Sequence, residues 1–214
     1  NTLTLGGSNA PTLKLATGTA SGGALTVKNL STLEQSTTHQ LALSAVTVEA
    51  GGKIVHTVNT NARSYVVDLN VSGNFDLQPG ATIAVGGKGY SGVSGADGYG
   101  PGKGPYGGTG AGHGGSGGRE HFGTIGGPGY DSLSNPTELG SSGGGACGAA
   151  GGAGGGAALI SVGGTFTLNG LIDAGGVSAS ITNYTGGGGA GGTVNISAAT
   201  LSGSGTVQAN GGTV

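Results

Sequence analysis

The sequence has no methionine, no tryptophan and a single cysteine, Cys147, among its 214 residues. One thiol cannot form a disulfide framework within the chain, nor a two-cysteine metal or redox motif. Only 7% of the residues are charged and the formal net charge is −2, so the lysine and arginine clusters that bind nucleic acid or anionic membranes are missing. No apolar run approaches the roughly 20 residues of a transmembrane helix. We therefore expect no nucleic-acid partner and no membrane span.

Motifs for catalysis and for cofactors are also missing. Gly102-Lys103-Gly104 lacks the Ser or Thr and the following helix of a phosphate-binding loop, and Gly140-Ser141-Ser142-Gly143 lacks the spacing of a nucleophile elbow. The carboxylates stand apart, and no stretch has the spacing of a calcium loop. We predict that the protein is not an enzyme and that it binds no cofactor and no metal.

Glycine is the residue in excess, with 55 copies. Residues 1–85 contain 9 of them, residues 86–156 contain 31 and residues 157–214 contain 15. This distribution divides the chain into three parts. We predict β-solenoid coils over 1–85, a glycine-rich insertion over 86–156, and further coils of the same domain over 157–214.

The two outer parts have the pattern of short β-strands. Residues 41–49, 64–71 and 193–197 are rich in β-favouring side chains, and no stretch of 11 residues has a helical apolar stripe. Gly-Gly-Thr recurs at 163–165, 191–193 and 211–213, intervals that suit the coils of a solenoid. The prediction is an all-β fold, a right-handed parallel β-helix. A β-sandwich is the alternative, because short strands with frequent turns also fit it.

The glycine-rich part has a period of three, as in Gly145, Gly148, Gly151 and Gly154. A polyproline-II-like helix has three residues per turn, so this spacing leaves one face without side chains. Neighbouring main chains can then approach closely and form hydrogen bonds. We predict packed extended helices of the polyglycine II type, with a flexible glycine linker as the alternative.

Five of the six tyrosines lie in or beside glycine-rich stretches, where loops are expected to be exposed: Tyr90, Tyr99, Tyr106, Tyr130 and Tyr184. Exposed tyrosines stack well on sugars and on other proteins, so these five are candidate surface-recognition residues. The alternative is that each ring covers bare glycine main chain.

A few polar residues in and around the glycine-rich part are further candidates. Residues 119–121 (Arg-Glu-His) form a charged cluster that we interpret as a solvated loop tip rather than an acid–base site. His113 is expected to bond main-chain carbonyls in a cage of glycines rather than a metal. Four asparagines have the N-glycosylation pattern: Asn29, Asn70, Asn183 and Asn195.

The first residues, Asn1-Thr2-Leu3-Thr4-Leu5, have the pattern of a short strand. Open sheet edges recruit strands, so Thr2, Leu3, Thr4 and Leu5 are the candidate assembly strand, able to add to the edge of a neighbouring copy. No signal-peptide pattern follows Asn1, and we expect a mature protein or a piece of a larger one.

Four stretches carry a resemblance to a known class of proteins. They are 75–90 (FDLQPGATIAVGGKGY), 110–118 (GAGHGGSGG), 130–145 and 151–176 (GGAGGGAALISVGGTFTLNGLIDAGG). In this order they resemble glycine-rich segments of large repetitive microbial surface proteins, similar in outline to filamentous-haemagglutinin-type proteins. The resemblance covers about residues 65–212. It implies an extracellular β-helix that is adhesin-like or forms filaments.

Pattern and resemblance together indicate a structural extracellular protein. The leading expectation is a self-assembling filament or surface-layer subunit, or a rod module of a large adhesin, with copies of itself as partners. The alternative is a carbohydrate-binding adhesin or phage receptor-binding tip that acts through the tyrosine loops. Ice binding ranks third, because the threonines keep no constant interval.

Overall fold

Thirteen β-strands lie in the part of the chain that the structure describes. The computed structural model describes residues 2–7, 9–16, 21–120, 123–181 and 184–213, and these ranges contain no helix. The strands in chain order are β1 (Thr2–Leu5), β2 (Thr12–Leu15), β3 (Ser21–Val27), β4 (Thr32–Gln35), β5 (Leu41–Val48), β6 (Lys53–His56), β7 (Val67–Val71), β8 (Phe75–Leu77), β9 (Thr82–Ala84), β10 (Ala157–Leu168), β11 (Leu171–Asp173), β12 (Thr193–Ser202) and β13 (Thr206–Gln208).

The strands form two parallel sheets. The first sheet has the order β1-β3-β5-β7-β10-β12, and β8 lies between β5 and β10 beyond the end of β7. The second sheet has the order β13-β11-β9-β6-β4-β2. Successive strands alternate between the sheets, except that β7 and β8 are both in the first. The predicted all-β class with parallel strands is confirmed, and the antiparallel β-sandwich does not fit this pairing.

Equivalent residues of successive strands lie side by side in columns. One column of the first sheet contains Leu3, Leu25, Val46, Phe75, Phe166 and Leu201. A column of the second sheet contains Leu13, Leu33, Ile54, Ile83, Ile172 and Val207. The middle members of both columns are buried and belong to one hydrophobic core, in which the rings of Phe75 and Phe166 stack with centroids 4.6 Å apart. Alternation of side chains along each strand therefore directs one face of each sheet into the core.

A bulge interrupts the longest strand. The register of β10 against β12 shifts between Val162 and Thr165, at two consecutive glycines. The Asn74 side chain, between β7 and β8, accepts a hydrogen bond of 2.9 Å from the main-chain N–H of Thr165. The bend between β7 and β8 is thus continued by the bulge in the next strand of the sheet.

The glycine-rich residues form a separate body of main chain beside the sheets. Between β9 and β10, residues 85–120 and 123–156 contain isolated antiparallel bridges and no strand. Residues 174–181 and 184–192, between β11 and β12, join them through main-chain hydrogen bonds. We call residues 86–120, 123–156, 174–181 and 184–192 together the glycine bundle.

Hydrogen bonds in the glycine bundle repeat every third residue. The N–H group of Gly151 donates to the carbonyl oxygen of residue 93 at 3.1 Å, and that of Gly154 donates to the carbonyl oxygen of residue 90 at 2.9 Å. The N–H groups of Gly152 and Gly155 donate to the carbonyl oxygens of residues 187 and 190, respectively, both at 2.9 Å. The carbonyl of Ala153 accepts from residue 177 at 2.8 Å. One extended segment is therefore bonded to three neighbours in rotation, which a chain with three residues per turn allows.

Candidate functional site

The interior of the glycine bundle has no space for side chains at most of its glycines. An added Cβ would lie less than 3.0 Å from a neighbouring carbonyl oxygen at Gly152, Gly155, Gly187 and Gly189, which real Cβ atoms essentially never do. By contrast, a Cβ at Gly115, an exposed position, would meet nothing within 4 Å. The close approach of main chains requires glycine inside the bundle and permits other residues at its margin.

Hydroxyl side chains complete the bonding where main chain alone does not. Ser141 is buried, and its Oγ accepts a hydrogen bond of 2.9 Å from the N–H of Gly102. The buried Ser142 does the same for the N–H of Tyr99 at 2.7 Å. No buried side-chain nitrogen or oxygen within the described ranges is left without a partner. An unpaired buried polar group would destabilise the fold, and the serine hydroxyls prevent this where a main-chain N–H group has no carbonyl partner.

Two of the five candidate tyrosines cover glycine main chain with their rings: Tyr90, which is buried, and Tyr130, which is half-buried. Tyr90 is 7% exposed and packs with Leu139 and Ala157, so its assignment to surface recognition is wrong. Burial is the main reason that the pKa of Tyr90 is raised. Its ring lies over the main chain at Gly100, where an added Cβ would meet the ring at 2.6 Å. The absence of a side chain on glycine leaves space for this ring. Tyr90 therefore covers bare glycine main chain, which is the alternative to surface recognition.

Tyr130 has a similar internal role. Its hydroxyl donates to the carbonyl of Leu139 and accepts from the Ser141 hydroxyl at 2.9 Å. Burial raises the pKa of Tyr130 well above its usual value. The ring covers Gly102, where a Cβ would lie 2.6 Å from it. Tyr130 is therefore a clamp on the glycine bundle.

His113 binds main chain, as the sequence predicts, and also a carboxylate. Its Nδ1 lies 2.9 Å from the Gly191 carbonyl and its Nε2 lies 3.4 Å from the Asp131 carboxylate, with both side chains buried. Burial alone would raise the pKa of Asp131, but bonds from the N–H groups of residues 138, 132 and 137, and from His113, hold it below its usual value. His113 and Asp131 line a groove of about 650 Å³ beside β12 and β13.

The other three candidate tyrosines are exposed: Tyr99 by 38%, Tyr106 by 46% and Tyr184 by 56%. Tyr184 lines a second groove, of about 560 Å³, together with Arg119, Glu120 and bare glycine main chain. The Tyr106 hydroxyl lies 3.0 Å from the thiol of the exposed Cys147. That hydrogen bond, with the nearby Tyr184 phenol, raises the pKa of Tyr106. Gly107, the chain neighbour of Tyr106, lines the same groove, so Tyr106 lies at its margin, whereas Tyr99 does not line it.

The charged cluster at 119–121 is described only in part. Arg119 is exposed, and the Glu120 carboxylate accepts a hydrogen bond of 3.0 Å from the N–H of Thr124. His121 lies outside the described residues. Among those residues, no group of three or more His, Cys, Asp or Glu side chains is arranged to hold a metal ion.

The predicted assembly strand is β1. Thr2, Leu3, Thr4 and Leu5 pair with residues 24–27 of β3 in the same chain, so β1 is the outermost strand of the first sheet. One edge of β1 is therefore used within the chain. The other edge has no partner among the described residues.

The glycosylation triplets differ in exposure. Asn29 and Asn70 are exposed. The amide of Asn195 donates to the Asn135 side chain at 2.9 Å and to the Pro136 carbonyl at 3.0 Å. Asn183 lies outside the described residues.

Two buried polar residues that the sequence analysis does not single out join the sheets to the glycine bundle. The Nε2 of His56, at the end of β6, accepts a hydrogen bond of 3.3 Å from the N–H of Ala157, where the chain leaves the bundle. The Asn59 side chain donates to the carbonyls of Tyr65 and Lys88 and accepts from the N–H groups of Ser64 and Tyr65, all within 2.9 Å. Their long-range partners could not be deduced from local sequence patterns.

Within the described ranges, no helix is long and apolar enough to cross a membrane. Comparison of the chain with protein-family models, with curated proteins and with solved structures finds no match.

Proposed function

We propose that the protein is a structural building block of an extracellular assembly. The assembly is a filament, a surface layer or the rod of a large adhesin. In this interpretation the two sheets are the walls of a right-handed parallel β-helix. The glycine bundle packs against them as extended helices of the polyglycine II type.

The observation that carries this proposal is the hydrogen bonding that connects the sheets to the bundle. Asn59 ties the loop after β6 to the bundle at Lys88, and His56 ties β6 to the start of β10. Together with the main-chain hydrogen bonds within the sheets and the bundle, these bonds stiffen the described part of the chain without requiring charge or disulfides. The resemblance of residues 65–212 to microbial surface proteins supports the extracellular location.

Electron microscopy of the purified chain tests the proposal. We expect ordered assemblies of constant width at micromolar concentration. A suspension of separate single molecules at every concentration examined would overturn the building-block function.

A second function, carbohydrate binding, is favoured by one observation. Tyr106 and Tyr184 are exposed, and Tyr184 lines a groove with Arg119, Glu120 and Gly107, the chain neighbour of Tyr106. An aromatic face beside charged hydrogen-bonding groups suits a sugar ring, which has both apolar and hydroxyl surfaces.

A glycan array separates the two functions. If the groove binds sugar, the wild-type chain gives a signal that Tyr106→Ala/Tyr184→Ala loses. The variant Tyr99→Ala, at an exposed tyrosine outside the groove, retains it. A pure building block gives no signal with any of the three proteins.

A further inference from the structure

The two ends of the stacked strands carry matching side chains. β1 and β2 are the outermost strands at one end of the two sheets, and β12 and β13 are the outermost strands at the other. No strand among the described residues pairs with their outer edges. Each end therefore presents a row of main-chain N–H and C=O groups that can bond another strand.

The apolar columns run from one end to the other. Leu3 and Leu201 are the terminal members of one column, and they are 53% and 59% exposed, whereas Leu25, beside Leu3, is 3% exposed. In the second sheet, Val207 ends the column that starts at Leu13, and Val207 is 46% exposed. Both ends thus leave core side chains uncovered that a further coil with the same spacing would cover.

The polar columns match as well. Thr4 and Ser202 end one column of the first sheet, on the face away from the core, and Thr12 and Thr206 end one of the second. β1, β12 and β13 contain no charged residue. Natural edge strands commonly carry charges that prevent pairing, and the one charge on β2, Lys14, is paired with Glu34 at 3.1 Å. Nothing electrostatic therefore opposes contact between the two ends.

We propose that the β12/β13 end of one copy binds the β1/β2 end of a second copy and continues both sheets in register. Leu201 of the first copy then lies beside Leu3 of the second, and Val207 lies beside Leu13. The occupant is a second copy of this chain because its own first coil has the column spacing that the last coil leaves open. The two surfaces differ, so the contact repeats head to tail and yields an open filament. This inference rests on the proposed building-block function and specifies its interface.

Cysteine cross-linking tests the register. In a Cys147→Ser background, Thr4→Cys and Ser202→Cys proteins are mixed and oxidised by air with a copper catalyst. Adjacent parallel strands lie about 4.8 Å apart, within the range of a disulfide, so a cross-linked heterodimer is expected. In the control mixture, Ser197→Cys replaces Ser202→Cys. Ser197 is on the same face of β12 but lies about 16 Å along the strand from the position opposite Thr4. We expect no cross-linked heterodimer from this mixture.

Two further variants test the same contact through assembly. Leu201→Lys places a charge in the apolar column and raises the concentration needed for assembly at least about tenfold. Thr200→Lys, the adjacent residue on the opposite face, leaves it nearly unchanged. Deletion of residues 1–8 is expected to abolish assembly.

The outcomes distinguish this inference from the proposed function. Assemblies without the 4–202 cross-link, or assemblies unchanged by Leu201→Lys and by the deletion, overturn the end-to-end contact and leave the building-block function standing. Absence of assemblies for the wild-type chain overturns both.

Discussion

Gly187 illustrates, at the scale of one residue, why the glycine bundle is so rich in glycine. It is buried, and a Cβ on it would lie less than 3.0 Å from the carbonyl oxygen of Thr109. Main-chain oxygens cannot move aside without breaking the hydrogen bonds of their own segments. The missing side chain is therefore a packing requirement.

Gly187→Ala should destabilise the fold strongly. We expect the free energy of unfolding to fall by about 2 kcal/mol or more, as for an overpacked core. Gly115→Ala is the control, because its added methyl group meets nothing, and it should change stability by less than about 1 kcal/mol. Denaturant titration of the three proteins measures this. Equal stability of the two variants would contradict close packing at Gly187.

His56 gives the fold a pH dependence of known sign. The side chain is fully buried. Burial, with a smaller effect of the Lys88 charge, lowers the pKa of His56 from 6.5 to about 4. Below pH 6.5 the unfolded chain binds a proton that the folded chain refuses, so stability is complete above pH 6.5 and is lost as the pH falls towards 4. The loss is about 3 kcal/mol.

Thermal unfolding between pH 7 and pH 4 tests this effect. The wild-type chain should lose stability over this range. His56→Gln, which keeps an acceptor for the Ala157 N–H but cannot titrate, should lose much less. The pKa values of Glu34, Asp97 and Asp131 are lowered, so the protonation of these carboxylates reduces stability mainly below pH 4. Identical slopes for both proteins would contradict the assignment to His56.

At the scale of elements, Asn59 fixes the connection between the sheets and the glycine bundle. Its four hydrogen bonds hold the loop that leads from β6 to β7 and the chain at Lys88. It is 1% exposed, so water cannot replace a lost bond. Truncating this side chain removes its bonds to the N–H groups of Ser64 and Tyr65 and to the carbonyls of Tyr65 and Lys88.

Asn59→Ala should lower the free energy of unfolding by about 2–4 kcal/mol. Asn61→Ala removes an amide of the same kind from an exposed position two residues later. This control should change the free energy of unfolding by less than about 0.5 kcal/mol. Chemical denaturation compares them. A small effect of Asn59→Ala would show that the connection is held by other contacts.

The elements that the sequence predicts are those with a long alternating pattern. The predicted strand at 41–49 matches β5, the one at 64–71 contains β7, and the one at 193–197 is the first half of β12. The short strands β2, β6, β11 and β13 carry too few side chains for a clear local pattern; they exist because a neighbouring coil pairs with them. The bulge of β10 likewise follows from the bend in the adjacent strands, and the local sequence of β10 alone does not predict it.

The candidate site was less predictable than the fold. The period of three glycines predicts bare faces, and the hydrogen bonds repeat with that period. The tyrosine pattern does not tell a ring that covers glycine main chain, such as Tyr90 or Tyr130, from an exposed one such as Tyr184. That difference depends on which segments become neighbours in the bundle.

At the scale of the whole molecule, main-chain hydrogen bonds take the place of charges and disulfides. The ion pairs Lys14–Glu34, Arg63–Glu138 and Lys103–Asp97 are all partly exposed, where such pairs contribute little. The apolar core lies between the sheets and does not extend through the glycine bundle. Order in the bundle therefore depends on bonding among its segments, which must offset the large entropy cost of fixing glycine.

Amide hydrogen exchange of the glycine bundle tests this dependence most directly. If the segments are bonded as described, the N–H groups of Gly152, Gly155, Gly187 and Ala190 exchange at least about a thousandfold more slowly than in an unfolded chain. The exposed amides of Gly114 and Gly115 exchange fast in the same sample. Fast exchange throughout residues 86–156 would mean that the glycine-rich part is a flexible linker, and the account would be wrong.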